Sequence, residues 1–229
     1  MPRKASRRRP GTYPRGEDTR RRLVETAIEI FAIHGYEGTS TRALAERAGV
    51  NLPAIPYYFG SKQGLYRAAV EHIIRHIETR MGAVGERVRS ALARANPSRR
   101  ELLSLLSEML ETFVAMVAEE DNPESRRLFF ARAELEDTAA LDPLQECAMR
   151  QVLRPSAALV GRLIGRPAGD KEVVARTLTL LGQVTIFCNK GARKALAWDD
   201  FSSNRVALIQ RLVREHTAAI FKGKRSAKA

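Results

Sequence analysis

Residues 39–62 read TSTRALAERAGVNLPAIPYYFGSK, two short helical stretches on either side of a glycine. Ser40 stands where a helix N-cap belongs, and Leu44 and Ala45 fall on one face of the turns that follow. Gly49 supplies the left-handed backbone position that a sharp corner between helices needs. Asn51 is then an N-cap for the second helix, with Pro53 in its first turn, where a missing N–H costs little. Two short helices crossing through such a turn form a helix-turn-helix, whose second helix can lie in the major groove of duplex DNA.

Outward from this stretch the chain stays helical. From about residue 18, Leu23, Ala27, Ile30 and Phe31 recur at i, i+4, i+7 and i+8, and Gly35 closes the helix. The short pair follows at about 41–48 and 52–59. A fourth helix begins after Ser61 with Leu65, Ala69, Ile73, Ile77 and Met81 as its apolar row. Further helices are predicted over about 98–119 (Leu102, Leu105, Leu106, Met109, Phe113, Val117), 123–136, 142–165, 170–195 and 203–221, with Pro155 kinking or interrupting the run from 142. Sustained two-residue alternation is absent, so the predicted fold class is all-α.

Of the 229 residues, 44% are hydrophobic, enough for a real core, yet no run approaches the ~20 apolar residues of a membrane span. Two cysteines, Cys147 and Cys188, are too few for a disulfide framework and point to a reducing, cytoplasmic setting. The net charge of +13 is concentrated at the ends. Residues 1–22 hold nine basic residues against Glu17 and Asp18, and residues 222–229 add Lys222, Lys224, Arg225 and Lys228. The segment 23–66 is slightly acidic, with Arg42, Arg47 and Lys62 against Glu25, Glu29, Glu37 and Glu46. Cationic tails attract polyanions by counterion release without reading sequence.

The run from Thr19 to Leu65 resembles the N-terminal domain of TetR-type bacterial transcription regulators. The matching elements are Phe31 with Gly35-Tyr36, Thr39-Ser40-Thr41, Ala48-Gly49-Val50, and Tyr57-Tyr58-Phe59-Gly60-Ser61-Lys62. Residues 126–165 with Leu180-Leu181-Gly182-Gln183 look like the C-terminal domain of the CecR/CerR subgroup. The resemblance implies a three-helix DNA-binding bundle and a C-terminal helical bundle that binds an effector. It also implies a homodimer formed through the helices near 170–195 and 203–221. The implied organisation is a disordered basic arm over 1–16, the helix-turn-helix domain over 17–65, a ligand-binding and dimerisation domain over 66–221, and a basic tail over 222–229. Such a protein would be a cytoplasmic, nucleoid-associated regulator, most simply a repressor, needing no cofactor and no membrane.

Residues carried over to DNA contact are Thr41 and Arg42 at the start of the first short helix, for phosphate and a guanine edge. Leu52, Pro53 and Ala54 would give apolar contacts such as a thymine methyl, and Tyr57, Tyr58 and Lys62 would donate to phosphates. Ile55 and Phe59 are expected to pack inward, and one of the two tyrosines is a candidate for partial burial. Pro56 departs from the family pattern; several positions into a helix it would remove a hydrogen bond and clash, predicting a shorter, rigid or displaced helix. With a near-neutral domain, long-range attraction falls to the N-terminal arm.

In the C-terminal half, Arg132 and Glu134 follow Phe129-Phe130, while Gln183, Thr185 and Asn189 interrupt apolar runs. Buried polar groups need partners, and a small-molecule pocket is apolar with a few polar anchors. The candidate pocket residues are Phe113, Met116, Phe130, Arg132, Glu134, Gln183 and Phe187. Packing, with Arg132 paired to Glu136, is the competing account. An enzyme reading has little to rest on. His72 and His76 have the i, i+4 spacing of a metal pair but no HExxH pattern, and their plain reading is the exposed side of a helix. A second alternative is a sequence-independent nucleic-acid-binding protein driven by the tails.

Overall fold

The computed structural model describes residues 13–118, 123–136 and 141–222. Among them every regular element is helical: α1 (Tyr13–His34), α2 (Thr41–Arg47), α3 (Ala54–Phe59), α4 (Lys62–Leu92), α5 (Arg99–Ala118), α6 (Pro123–Glu136), α7 (Asp142–Ala148), α8 (Arg154–Ile164), α9 (Lys171–Thr185), α10 (Lys190–Ala195) and α11 (Ser203–Lys222). Two compact units divide the chain between Ala69 and Val70, within the span of α4.

In the first unit α1 starts at Tyr13, so residues 13–16 are helical rather than part of a structureless arm. Pro14 falls in the first turn, where its missing N–H leaves no intrahelical bond unmade. The remainder of the expected arm, residues 1–12, lies outside the described residues. Leu23, Val24, Ala27, Ile28, Phe31 and Ala32 form the buried face. Ile30, expected inward, is only half-buried, because Val24 and Ile28 continue the Leu23–Ala27–Phe31 row round the same side. Phe31, Tyr36 and Tyr66 make a three-ring cluster with centroids 5.9, 4.9 and 5.1 Å apart. Each such pair contributes about 1 kcal/mol beyond area burial.

In the second unit α5 is central, packed on α8, α9 and α11. Leu102, Leu105, Leu106, Met109, Leu110, Val114 and Met116 are buried; Phe113 and Val117, expected on the same row, are half-buried. Ile73, Ile77 and Met81 of α4 are buried as the sequence predicts. From the start of α5, Arg99 donates to the Leu163 carbonyl at 2.8 Å and the Phe221 carbonyl at 2.7 Å. One guanidinium thus satisfies backbone acceptors at the C-terminal ends of α8 and α11, which have no partner within their own helices.

The run from 142 breaks as Pro155 predicts. A π-helical turn over Met149–Leu153 separates α7 from α8, and the Arg154 N–H reaches back to the Met149 carbonyl. That wider winding lets Pro155 enter as the second residue of α8, where it needs no N–H. The predicted helix over 170–195 is not continuous. α9 ends at Thr185, a 3₁₀ turn covers Ile186–Cys188, and Asn189 turns extended to cap α10 through the Gly191 N–H at 2.8 Å. An asparagine that bonds nearby backbone competes with the helix ladder, and here it wins.

His72 and His76 are half-buried rather than on an exposed side. Burial, then the charges of Arg126, Arg75 and His76, hold the His72 pKa below its usual value. Cys147 is buried, and burial pushes its thiol pKa up. Among the described residues no group of three or more His, Cys, Asp or Glu side chains is placed to hold a metal ion. No described helix is long and apolar enough to cross a membrane.

Candidate nucleic-acid interface

Ser40 caps α2 as its sequence position suggests, accepting from the Ala43 N–H at 3.1 Å. Leu44 and Ala45 are buried beneath it. The far end closes with Gly49 at φ 63°, its N–H on the Glu46 carbonyl at 3.1 Å and the Val50 N–H on the Ala45 carbonyl at 3.0 Å. This paired bonding satisfies two terminal carbonyls and reverses the chain toward the second helix.

The second helix starts later than the sequence suggests. Asn51 does not cap it; its carbonyl accepts from Ala54 N–H at 2.9 Å, and the Leu52 carbonyl accepts from Ile55 N–H at 3.3 Å. Leu52 and Pro53 therefore form the turn before α3 instead of its first residues, and α3 has no side-chain cap. The shift also removes the clash expected at Pro56. As third residue of a helix beginning at Ala54, Pro56 sits in the first turn, where backbone N–H groups lack intrahelical partners. The shortening is real: α3 has six residues.

Ile55 is completely buried and fixes α3 to the bundle. Tyr57 is 81% exposed, the most open of the large apolar side chains among the described residues, and Leu52 is 48% exposed. Arg42 and Pro53 are exposed, whereas Thr41, Ala54, Tyr58 and Phe59 are half-buried. Tyr58 is thus the partly buried member of the tyrosine pair, its ring edge-on to Tyr57 at 4.9 Å. A groove of about 560 Å³ runs between α1 and this corner, lined by Thr19, Asn51, Pro53, Ala54 and Tyr58 among others.

Lys62 is held from within. Its ammonium donates to the Tyr36 carbonyl at 2.9 Å and the Thr39 carbonyl at 3.0 Å, and lies 4.2 Å from the Tyr36 ring centroid. Two of its three N–H bonds are committed to the loop between α1 and α2, which leaves one for a phosphate. Thr39 is itself buried and donates to the Gly35 carbonyl at 2.7 Å. Elsewhere on this unit Arg47 lies 3.8 Å from Glu29 and Arg21 lies 2.8 Å from Asp18.

Comparison with known proteins agrees with this geometry. Residues 23–69 match the description of bacterial regulatory proteins of the TetR family, and residues 103–224 match the C-terminal domain of the HTH-type transcriptional dual regulator CecR. The chain belongs to the TetR family. The CecR dual regulator of Shigella flexneri is 28% identical over 221 residues, covering 93% of this chain and 96% of that one. The regulatory protein RaaS of Mycobacterium tuberculosis is 40% identical over 62 residues, 27% of this chain and 29% of that one. The crystal structure of a TetR-like regulator from Rhodococcus sp. RHA1 shares the fold with a TM-score of 0.58 at 18% identity, covering 90% of this chain and 97% of that one. This TetR-family chain is a DNA-binding transcriptional regulator, not an enzyme.

The C-terminal candidates are only partly assembled. Met116 is buried, and Phe113, Phe130, Arg132 and Phe187 are half-buried. α6 packs against the 186–188 turn, and α5 packs against α9. Phe187 stacks on Trp198, with centroids 6.1 Å apart. Gln183 belongs elsewhere: its Oε1 lies 3.3 Å from His216 Nδ1 in a cleft of about 310 Å³ between α9 and α11. Thr185 and Asn189, read as polar groups in an apolar setting, are exposed and serve backbone near them, because the helix ends at Thr185. The side chain of Glu134 lies outside the described residues.

Sequence reasoning missed the part that α1 plays here. Gly16 and Arg20 lie against α3, and the only signal was a glycine and an arginine inside a charged run.

Proposed function

We propose that the protein is a homodimeric regulator that occupies a palindromic operator, represses by occupancy and leaves when a small molecule binds its C-terminal unit. The observation that carries this reading is Tyr57, an aromatic side chain 81% exposed on a helix pinned by a fully buried neighbour, Ile55. A rigid helix presenting an unburied tyrosine is suited to a DNA surface, with the hydroxyl on phosphate and the ring beside a base edge. Thr41, Arg42, Leu52, Pro53, Ala54, Tyr58 and the remaining N–H of Lys62 complete the proposed contact set.

Leu178 and Ile220 are 53% and 45% exposed, on α9 and α11, and Ile220 lines the cleft that Gln183 and His216 share. Apolar side chains left in water on neighbouring helices support association with a second copy there. For the effector we retain Phe113, Met116, Phe130, Arg132, Glu134 and Phe187, with Gln183 reassigned to the dimer face. Binding would favour one arrangement of the C-terminal unit, and α4, whose span includes the unit boundary, is the element to carry that preference to the recognition helices. A cytoplasmic, nucleoid-associated location follows from this reading.

Selection of bound sequences from random duplex DNA, with the mass of the free protein measured in solution, tests both halves. A preferred palindrome bound by a dimer supports the proposal; a monomer, or no preferred sequence, overturns it. The strongly basic ends favour one competing account, sequence-independent coating of nucleic acid, which expects equal affinity for scrambled duplexes.

A further inference from the structure

α3 is a weak helix by its own chemistry. It has six residues, two prolines at or before its third position, and no side-chain N-cap. Helices this short gain little from their own hydrogen bonds, so their orientation is set by what packs against them. Ile55 provides one inward anchor. The last turn has three more, and all converge on Tyr58 and Phe59.

The first is α1 at Gly16, where a Cβ would stand in ordinary van der Waals contact with the Tyr58 hydroxyl at 3.5 Å, so the start of α1 lies directly against that tyrosine. The second is Arg20, one turn further along α1, whose guanidinium sits 5.3 Å from the centroid of the Phe59 ring. Arg20 is half-buried despite lying in the most charged part of the chain, as a side chain laid over an aromatic face should be. The third is Gly64 in the first turn of α4. A Cβ there would meet the Phe59 carbonyl oxygen at 1.9 Å, so only glycine allows the end of α3 to approach α4 this closely.

We propose that Arg20 at the start of α1 is a positioning residue for base reading: together with the close approach that Gly64 allows, it clasps Phe59 and sets the angle at which α3 enters the groove. Arg20 would decide which base pairs are preferred without touching a base. The inference rests on the operator-binding reading above and adds a determinant outside the helix-turn-helix. A simpler role for Arg20, as one more phosphate-binding cation, makes different predictions. Loss of a phosphate contact weakens binding uniformly across sequences and lowers the salt slope by about one. Loss of a positioning contact changes discrimination instead. A correctly read base pair is worth roughly tenfold to a hundredfold in affinity, so a tilted helix should forfeit much of that ratio at the positions α3 reads.

The experiment compares the full-length protein with Arg20→Ala, Arg20→Lys, Phe59→Leu and the Arg20→Ala/Phe59→Leu double variant. Each is put through random-duplex selection and then titrated at several salt concentrations against the wild-type's preferred duplex and single-base variants of it. Thermal melts verify folding, and Arg20→Ala, on a half-buried rim position, keeps the test valid where Phe59→Leu does not fold. The expected result is that Arg20→Ala and Phe59→Leu each reduce discrimination between preferred and variant half-sites about tenfold. The double variant should lose no more than either alone, and Phe59→Leu should leave the salt slope unchanged. Arg20→Lys should retain part of the discrimination. Uniform weakening by Arg20→Ala with the preferred sequence intact would overturn the proposal while leaving the operator-binding reading standing. A wild-type protein with no preferred sequence would overturn both.

Discussion

Lys62, the first residue of α4, donates to the carbonyl of Thr39, the residue before the cap of α2, at 3.0 Å. A cation at a helix N-terminus is on the wrong end of the helix dipole, so this lysine needs compensation. The Thr39 and Tyr36 carbonyls and the Tyr36 ring face provide it. Lys62 therefore joins the loop after α1 to the start of α4 and holds the two short helices between them. Lys62, proposed above as a phosphate contact, is by geometry first a clamp.

Replacing this lysine should unfold the DNA-binding unit more readily. Hydrogen bonds to a charged group contribute about 2 kcal/mol each, and Lys62→Met removes two of them while keeping the aliphatic stem. Denaturant melts followed by tyrosine fluorescence should show a clear drop in midpoint. An unchanged midpoint with weaker DNA binding would assign Lys62 to phosphate alone.

Proline tolerance should change abruptly between adjacent residues of α3. Pro56→Ala should alter stability by less than about 1 kcal/mol, since Pro56 lies in the first turn. Tyr57→Pro should cost about 3 kcal/mol or more, because the Tyr57 N–H bonds the Pro53 carbonyl at 3.1 Å. Circular dichroism melts of the two variants provide the comparison.

Deletion of residues 1–12 removes Arg3, Lys4, Arg7, Arg8 and Arg9 and leaves α1 whole. Binding should weaken for every duplex and the salt dependence should flatten, with the preferred sequence unaltered. An equal salt slope before and after deletion would remove the arm from the account.

His72 gives the fold a pH dependence. Its pKa is lowered in the folded state, first by burial and then by Arg126, Arg75 and His76, from an ordinary value of 6.5. Below 6.5 the unfolded chain takes up a proton that the folded chain resists, so the neutral-His contribution, complete above that pH, is lost as pH falls. Chemical denaturation between pH 5 and pH 8 should show stability declining on the acid side, and His72→Gln should reduce that decline.

Arg99 links helix ends from distant parts of the chain. Arg99→Ala leaves the Leu163 and Phe221 carbonyls without this donor and should cost about 2–4 kcal/mol. Arg99→Lys should recover less than half, since an ammonium cannot span both acceptors as a planar fork does. Calorimetry of the full chain measures both.

Local chemistry made much of this protein readable from its sequence. Ser40 and Gly49 mark the ends of α2 because a cap hydroxyl and a left-handed glycine act on backbone within a few residues. The all-α class and the burial of Leu65, Ala69, Ile73, Ile77 and Met81 follow from a period set by helix geometry alone. Pro155 announced its own interruption for the same reason. Matters settled by competition between neighbours were not legible. Whether Asn51 or the following turn opens α3, and whether Asn189 bends the chain or lies within a helix, depends on which of two similar hydrogen bonds the surroundings favour. Nor could spacing say that Gln183 faces His216, that Lys62 is spent on two carbonyls, or that Arg20 covers Phe59. Those pairings join residues 23 or more positions apart, beyond the reach of any local pattern, and only the packed helices bring them together.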